Sequence, residues 1–251
     1  MTPHVALVGD SVFDNASYAR GEPDVSAHLR ALAPTWGVTL CAVDGSTTTD
    51  VGPQLDRVPS RTTHLVLSLG GNDALINADL LDMPVRSTAE ALDRFEERLS
   101  DFERSYGWVI EALAALARPT TVCTIYNGNL GGDEARRARV ALMMFDDVIV
   151  RVASRAGFDV IDLRHVCCDV ADFANPIEPS GSGGKKIPQA IVGAVAGTVK
   201  GSRLMGVVDR TGSPDRLRCA SKGAAHASTN LDSAVSSCPL RVLERQRHKL
   251  G

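Results

Sequence analysis

The sequence predicts an α/β fold, a parallel β-sheet covered by helices on both faces. Three observations support this. Five short runs rich in Val, Ile, Leu and Thr are each bounded by polar or glycine residues, the pattern of buried parallel strands. Amphipathic stretches lie between them, which gives the strand–helix alternation. Small polar residues directly follow successive runs, as expected at the carboxyl rim of a parallel sheet, where function collects.

The elements follow in order. Residues 4–8 form the first expected strand and 23–33 the first helix. Residues 38–43 form the second strand, 50–58 a short helix, and 63–69 the third strand. A long helix is expected over 88–117, where Leu92, Phe95, Leu99, Phe102 and Tyr106 recur every three or four residues. Ser87-Thr88-Ala89-Glu90 offers N-cap residues ahead of it. Residues 119–125 and 158–163 complete the strands, with a helix over 134–156 between them and a last helix over about 184–199.

Composition changes near Lys200. Residues 201–251 hold nine Lys/Arg against four acids, a net +5, whereas the rest of the chain carries −8. That segment also loses hydrophobic periodicity, so the expected organisation is one domain over 1–200 and a poorly ordered basic tail over 201–251. An electrostatic tether to an acidic partner is the sharper alternative for the tail.

Other classes are excluded. No apolar run approaches the roughly 18 residues that a membrane span needs. The N-terminus enters a strand-like run with no basic segment or cleavage site ahead of it, so the expected location is cytoplasmic. A net charge of −3 offers no reason to expect a nucleic-acid or membrane partner. Six cysteines are too sparse for a disulfide framework. Cys167 and Cys168 adjoin His165 and Asp169, but no second pair at zinc spacing follows, so no metal site is expected.

Reading along the rim, Gly9-Asp10-Ser11 follows the first strand and Asp44-Gly45-Ser46 the second. Gly70-Gly71-Asn72-Asp73 follows the third, and a loop carrying Asn175-Pro176-Ile177-Glu178-Pro179-Ser180 comes after the fifth. The bland alternatives are a helix N-cap for Ser11 and a turn-former for Asn72.

Taken together, these blocks resemble the SGNH (GDSL-like) hydrolase family over roughly residues 4–199. The resemblance implies a three-layer, flavodoxin-like five-stranded parallel sheet in order 2-1-3-4-5, which brings Ser11, Gly45 and Asn72 onto neighbouring strand ends. It implies acyl transfer with Ser11 as nucleophile. The oxyanion would be held by the N–H groups of Ser11 and Gly45 and by the Asn72 amide. Asp10 would orient the loop around Ser11, and Asp73 would cap the next helix.

The sequence departs from the family at the base. Where the family has Asp-Xaa-Xaa-His, this chain reads Asn175-Pro176-Ile177-Glu178. Glu178 is then the candidate base, with Asn175 donating its amide to orient the carboxylate. The competing readings are a loop carboxylate held by Lys185 or Lys186, and His165 as base. The expected function is a serine esterase or acylhydrolase acting on a small-molecule ester, without metal or organic cofactor. A non-catalytic acyl- or carbohydrate-binding module on the same fold is the alternative.

Overall fold

The computed structural model describes residues 2–197 and 204–205. Five parallel strands, β1 (His4–Gly9), β2 (Gly37–Leu40), β3 (His64–Ser68), β4 (Thr120–Cys123) and β5 (Asp159–Ile161), form the sheet in order β2-β1-β3-β4-β5. A two-residue strand, β6 (Leu204–Met205), pairs in parallel with β5 and lies past the boundary expected near Lys200. The remainder of the expected tail lies outside the described residues.

Side-chain alternation along the strands builds the three layers. Val5, Leu7, Val66, Cys123 and Ile161 face one side, where they pack with α1 (Val25–Leu32), α6 (Leu163–Val166) and α7 (Gly181–Val195). Ala6, Val8, Leu65, Leu67, Val122 and Val160 face the other. There they meet Phe102, Tyr106, Val109 and Leu113 of α4 (Thr88–Ala115) and Phe145, Val148 and Ile149 of α5 (Gly132–Arg155). Of the N-cap candidates ahead of α4 it is Ser87 that caps the helix, its side chain accepting from the Glu90 N–H.

Several elements differ from expectation. Regular pairing of β2 ends at Leu40 because the N–H groups of Cys41 and Ala42 both donate to the Leu7 carbonyl, placing two residues against one. The segment expected to be one helix over 50–58 is a 3-10 turn, Thr48–Asp50, followed by α2 (Gly52–Leu55). Two short helices, α3 (Gly71–Ile76) and α6, were not anticipated, since one or two turns leave no period to read. The α4 stripe is buried only from Phe102 onward, and Leu92 is exposed. Twenty-eight residues rise about 42 Å, whereas the five of β3 span only about 17 Å, so the helix outruns the sheet. No described helix is long and apolar enough to cross a membrane.

One close approach positions the rim. β1 pairs with β3 so that Gly9 lies opposite Ser68, and Gly9 has φ +135°. A Cβ there would lie 1.8 Å from the Ser68 carbonyl oxygen. The same carbonyl accepts the Asp10 N–H at 3.1 Å, which starts the turn into Ser11. Gly9→Ala is therefore expected to lower stability by at least about 2 kcal/mol, through strained φ and steric overlap. Urea denaturation would measure it, and an unchanged midpoint would show that the two strands separate freely.

Candidate active site

Ser11 stands two residues past the end of β1 in a tight turn, where the N–H groups of Phe13 and Asp14 both donate to the Asp10 carbonyl at 3.1 Å. Asp10 Oδ1 accepts the Val12 N–H at 3.1 Å, so the Asp10 side chain does bond the loop around Ser11. Burial pushes the Asp10 carboxyl up to about 7, and the charges of Asp73 and Asp44 add to this against the Val12 N–H.

Asn72 lies in the first turn of α3, which Gly70 opens with φ +115°. Its amide Nδ2 donates to the Ser46 carbonyl at 2.9 Å, joining the β3 rim to the β2 rim. Gly45 immediately precedes Ser46 and has φ +82°, a backbone region that side chains disfavour. Among the described residues, no backbone or side-chain acceptor takes the N–H of either Ser11 or Gly45. Asp73 does not cap its own helix. It reaches across to accept from Thr48, at 2.7 Å from the hydroxyl and 3.2 Å from the N–H. Being within the first turn, its short side chain faces the neighbouring loop and not the helix start.

Glu178 arrives from the far side of the fold. Ser11 Oγ donates to Glu178 Oε1 at 3.2 Å, across 167 residues of sequence. Ser11, Asn72 and Glu178 are only 8%, 7% and 3% exposed. The loop bearing Glu178 is a tight reversal: Phe173 bridges Pro179, and the Ala174 N–H donates to the Glu178 carbonyl at 2.9 Å. Asn175 works here through its oxygen, where the expectation put its amide on the carboxylate. Asn175 Oδ1 accepts the N–H groups of Ile177 and Glu178, each at 2.9 Å, an Asx turn that shapes the main chain.

The competing candidates are placed elsewhere. His165 is 67% exposed, with Nε2 3.8 Å from Asp162 on its own short helix. His4 and His64 begin β1 and β3, at the opposite rim. Lys186 sets its ammonium 2.8 Å from both Asp169 and Asp172. Burial opposes that charge, but bonds to the two carboxylates outweigh it and raise the Lys186 pKa. Ligand atoms of Cys168, Asp169 and Asp172 lie within 4.8 Å of one another, yet the cation among those carboxylates is Lys186 itself. Burial pushes the Cys167 thiol up to about 12, which suits a packing role.

Sequence reasoning missed three residues whose side chains bond the rim loops. Gln54 is buried and grips the Gly9 peptide units on both sides, accepting from the Gly9 N–H at 2.8 Å and donating to its carbonyl at 2.9 Å. The same amide donates to Ser46 Oγ at 2.9 Å. A lone Gln in a four-residue helix carries no sequence signal. Thr48 had one: Thr47 and Asp50 form a capping box around it. Tyr126 stands three residues past β4, and extending the rim reading to that strand would have reached it.

Comparison with known proteins agrees with this architecture. Residues 7–182 match the GDSL-like Lipase/Acylhydrolase family. No curated protein sequence matches the chain significantly. Among solved structures, an extracellular lipase from Streptomyces rimosus superposes with a TM-score of 0.57 at 19% identity, covering 77% of this chain and 100% of that one. Phospholipase A1 from Streptomyces albidoflavus NA297 gives 0.57 at 16% identity, covering 74% and 96%. The acetylxylan esterase Axe2 from Geobacillus stearothermophilus gives 0.54 at 17% identity, covering 82% and 97%. At these identities the likeness establishes the fold.

The Asp10 carboxyl has a consequence for stability. Its folded pKa of about 7 exceeds the ordinary 3.8, so the folded protein keeps a proton that the unfolded chain releases. Stability should therefore fall as pH rises from 3.8 towards 7, and the cost should be complete above that. Asp10→Asn should flatten this dependence, although buried Asp146, also raised to about 7, contributes a similar one. Denaturation of both proteins at acidic and neutral pH tests this; parallel curves would mean that folding does not raise the Asp10 pKa.

Proposed function

The chain belongs to the GDSL-like lipase/acylhydrolase family, and from that premise we propose that it is a serine esterase or acylhydrolase, with Ser11 as nucleophile and Glu178 as general base. The observation that carries this reading is the Ser11 hydroxyl donating to Glu178 Oε1 at 3.2 Å. Nucleophile and base within hydrogen-bond reach are the first geometric requirement for such chemistry. The lipases and esterases among the structural neighbours support ester hydrolysis, and the small exposure of Ser11, Asn72 and Glu178 favours a small ester.

As Ser11 Oγ adds to the ester carbonyl carbon, its proton passes to the Glu178 carboxylate. The carbonyl oxygen becomes an oxyanion within reach of the Ser11 and Gly45 N–H groups and the second proton of the Asn72 amide. Collapse breaks the bond to the alcohol, and protonated Glu178 returns the proton to the departing alkoxide. Water then attacks the acyl-Ser11 carbonyl, Glu178 takes its proton, and Ser11 leaves with that proton restored as the acid is released. Burial raises the Asp10 carboxyl to about 7, so Asp10 adds less negative charge beside Ser11 than an ordinary aspartate would. Asn175 sets the turn that presents Glu178. Asp73 steadies the Gly45–Thr48 loop.

A fluorophosphonate probe should add one adduct to the wild type and none to Ser11→Ala, read by intact mass. Labelling that persists in Ser11→Ala would reject the nucleophile. Glu178→Gln keeps shape but removes the proton acceptor, so its turnover should fall almost as far as that of Ser11→Ala, and near-normal turnover would reject the dyad. Asn72→Ala should lower kcat by about 10²–10³ with little change in KM. A change below about threefold in a folded protein would remove Asn72 from the oxyanion site.

A further inference from the structure

The reaction as written leaves Tyr126 without a role. It is buried beyond the end of β4, and its hydroxyl donates to the Ile177 carbonyl at 2.6 Å. Its ring meets Phe173 edge-on, with centroids 5.3 Å apart and planes at 71°. Burial drives the phenol pKa well above its ordinary value, and the charge of Glu178 adds to this, so the hydroxyl keeps its proton and stays a donor.

The bond falls at an informative place. The Ile177 carbonyl and the Glu178 N–H are two ends of one planar peptide unit. Tyr126 holds the first and Asn175 Oδ1 the second. With both ends tied, the plane cannot turn, and the Glu178 side chain leaves the next atom along. The Asn129 N–H adds a parallel tie to the Pro176 carbonyl at 2.7 Å.

Tyr126 is itself anchored from the sheet. The preceding Ile125 N–H donates to Asp146 Oδ1 at 2.8 Å. Asp146 lies 3.5 Å from Arg164, which grips Asp162 through two nitrogens at 2.8 and 2.6 Å. Asp162 in turn accepts from the Thr124 hydroxyl at 3.1 Å. This buried network makes no contact with Ser11; it fixes the three residues that end in Tyr126.

We infer that Tyr126 is a positioning residue for Glu178: by pinning the Ile177–Glu178 peptide it holds the carboxylate at hydrogen-bonding distance from Ser11. The inference rests on Glu178 acting as the base. Freeing the peptide displaces the carboxylate, and a displacement of about 1 Å can cost on the order of 10²-fold in rate. Tyr126 acts through Glu178 alone, so its effect vanishes once Glu178 can no longer accept a proton.

Four proteins test this: wild type, Tyr126→Phe, Glu178→Gln and the double variant, each assayed for ester turnover and for the rate of fluorophosphonate labelling. Tyr126→Phe should lower kcat and labelling by roughly tenfold or more, with KM within about threefold. In the Glu178→Gln background the same substitution should change neither quantity by more than about twofold. An equal loss in both backgrounds, or no loss in the first, overturns the inference and leaves the base assignment standing. Wild-type turnover in Glu178→Gln alone overturns the base assignment, and the positioning role with it. Asn175→Ala releases the other end of the same peptide and should show the same dependence on Glu178, which keeps the test open if Tyr126→Phe does not fold.

Discussion

Gly9 lets the β1 backbone approach β3 more closely than any side chain would permit, and the geometry of the rim follows from that contact. The Ser68 carbonyl, which a Cβ would strike, instead accepts the Asp10 N–H and turns the chain into Ser11. Gln54 bonds both the N–H and the carbonyl of Gly9 and reaches Ser46 with the same amide. Ser46 then accepts Asn72. The ends of β1, β2 and β3 are therefore joined by side-chain amides as well as by strand pairing, and shifting one moves the others. Buried polar networks of this kind specify a single arrangement when their members are satisfied.

Charge around the rim is handled by placement. Asp10, Asp73 and Glu178 are carboxyl groups brought to one end of the sheet, the first and last buried and Asp73 half-buried. Burial raises the pKa of both Asp10 and Asp73. Asp73 is offset by the Thr48 hydroxyl as well as by N–H groups, whereas Asp10 has backbone N–H groups alone and rises to about 7. The two thus differ in how strongly they resist ionisation, and the one adjoining Ser11 is raised to near neutrality. Ser11 thus lies between two carboxyl groups, bonded to Glu178 and following Asp10 in sequence, and burial disfavours the charged form of Asp10.

The fifth-strand loop is built to different rules. Asp172 is buried, accepts the N–H groups of Cys168 and Asp169, and holds Lys186. Its carbonyl takes the Ser180 N–H at 2.8 Å, and the Ser180 side chain caps α7 by accepting from Gly183. The Glu178 reversal is thus closed at its base by the Asp172–Lys186 ion pair and a helix cap, and at its tip by Asn175 and Tyr126. A loop so fully bonded can carry a reacting group with little conformational freedom left to lose.

The sequence alone determined the alternation of elements, because buried strands and amphipathic helices leave different periods in the chain. It also identified Gly9-Asp10-Ser11, Gly45 and Asn72 as rim residues, since each directly follows an apolar run. Glu178 was legible only as a departure from a family pattern. That it meets Ser11 at 3.2 Å depends on a contact across 167 residues, which local periodicity does not encode. The same limit hid Gln54 and Tyr126, whose partners are distant in sequence and whose own neighbourhoods look ordinary. It also misdirected Asp73 and Asn175, whose residue types suggested one bond and whose surroundings supplied another. Propensity and pattern act over a few residues, so they settle what each segment becomes. Which buried polar group faces which is decided when the sheet closes, because only then does leaving a donor or acceptor unpaired carry its full cost.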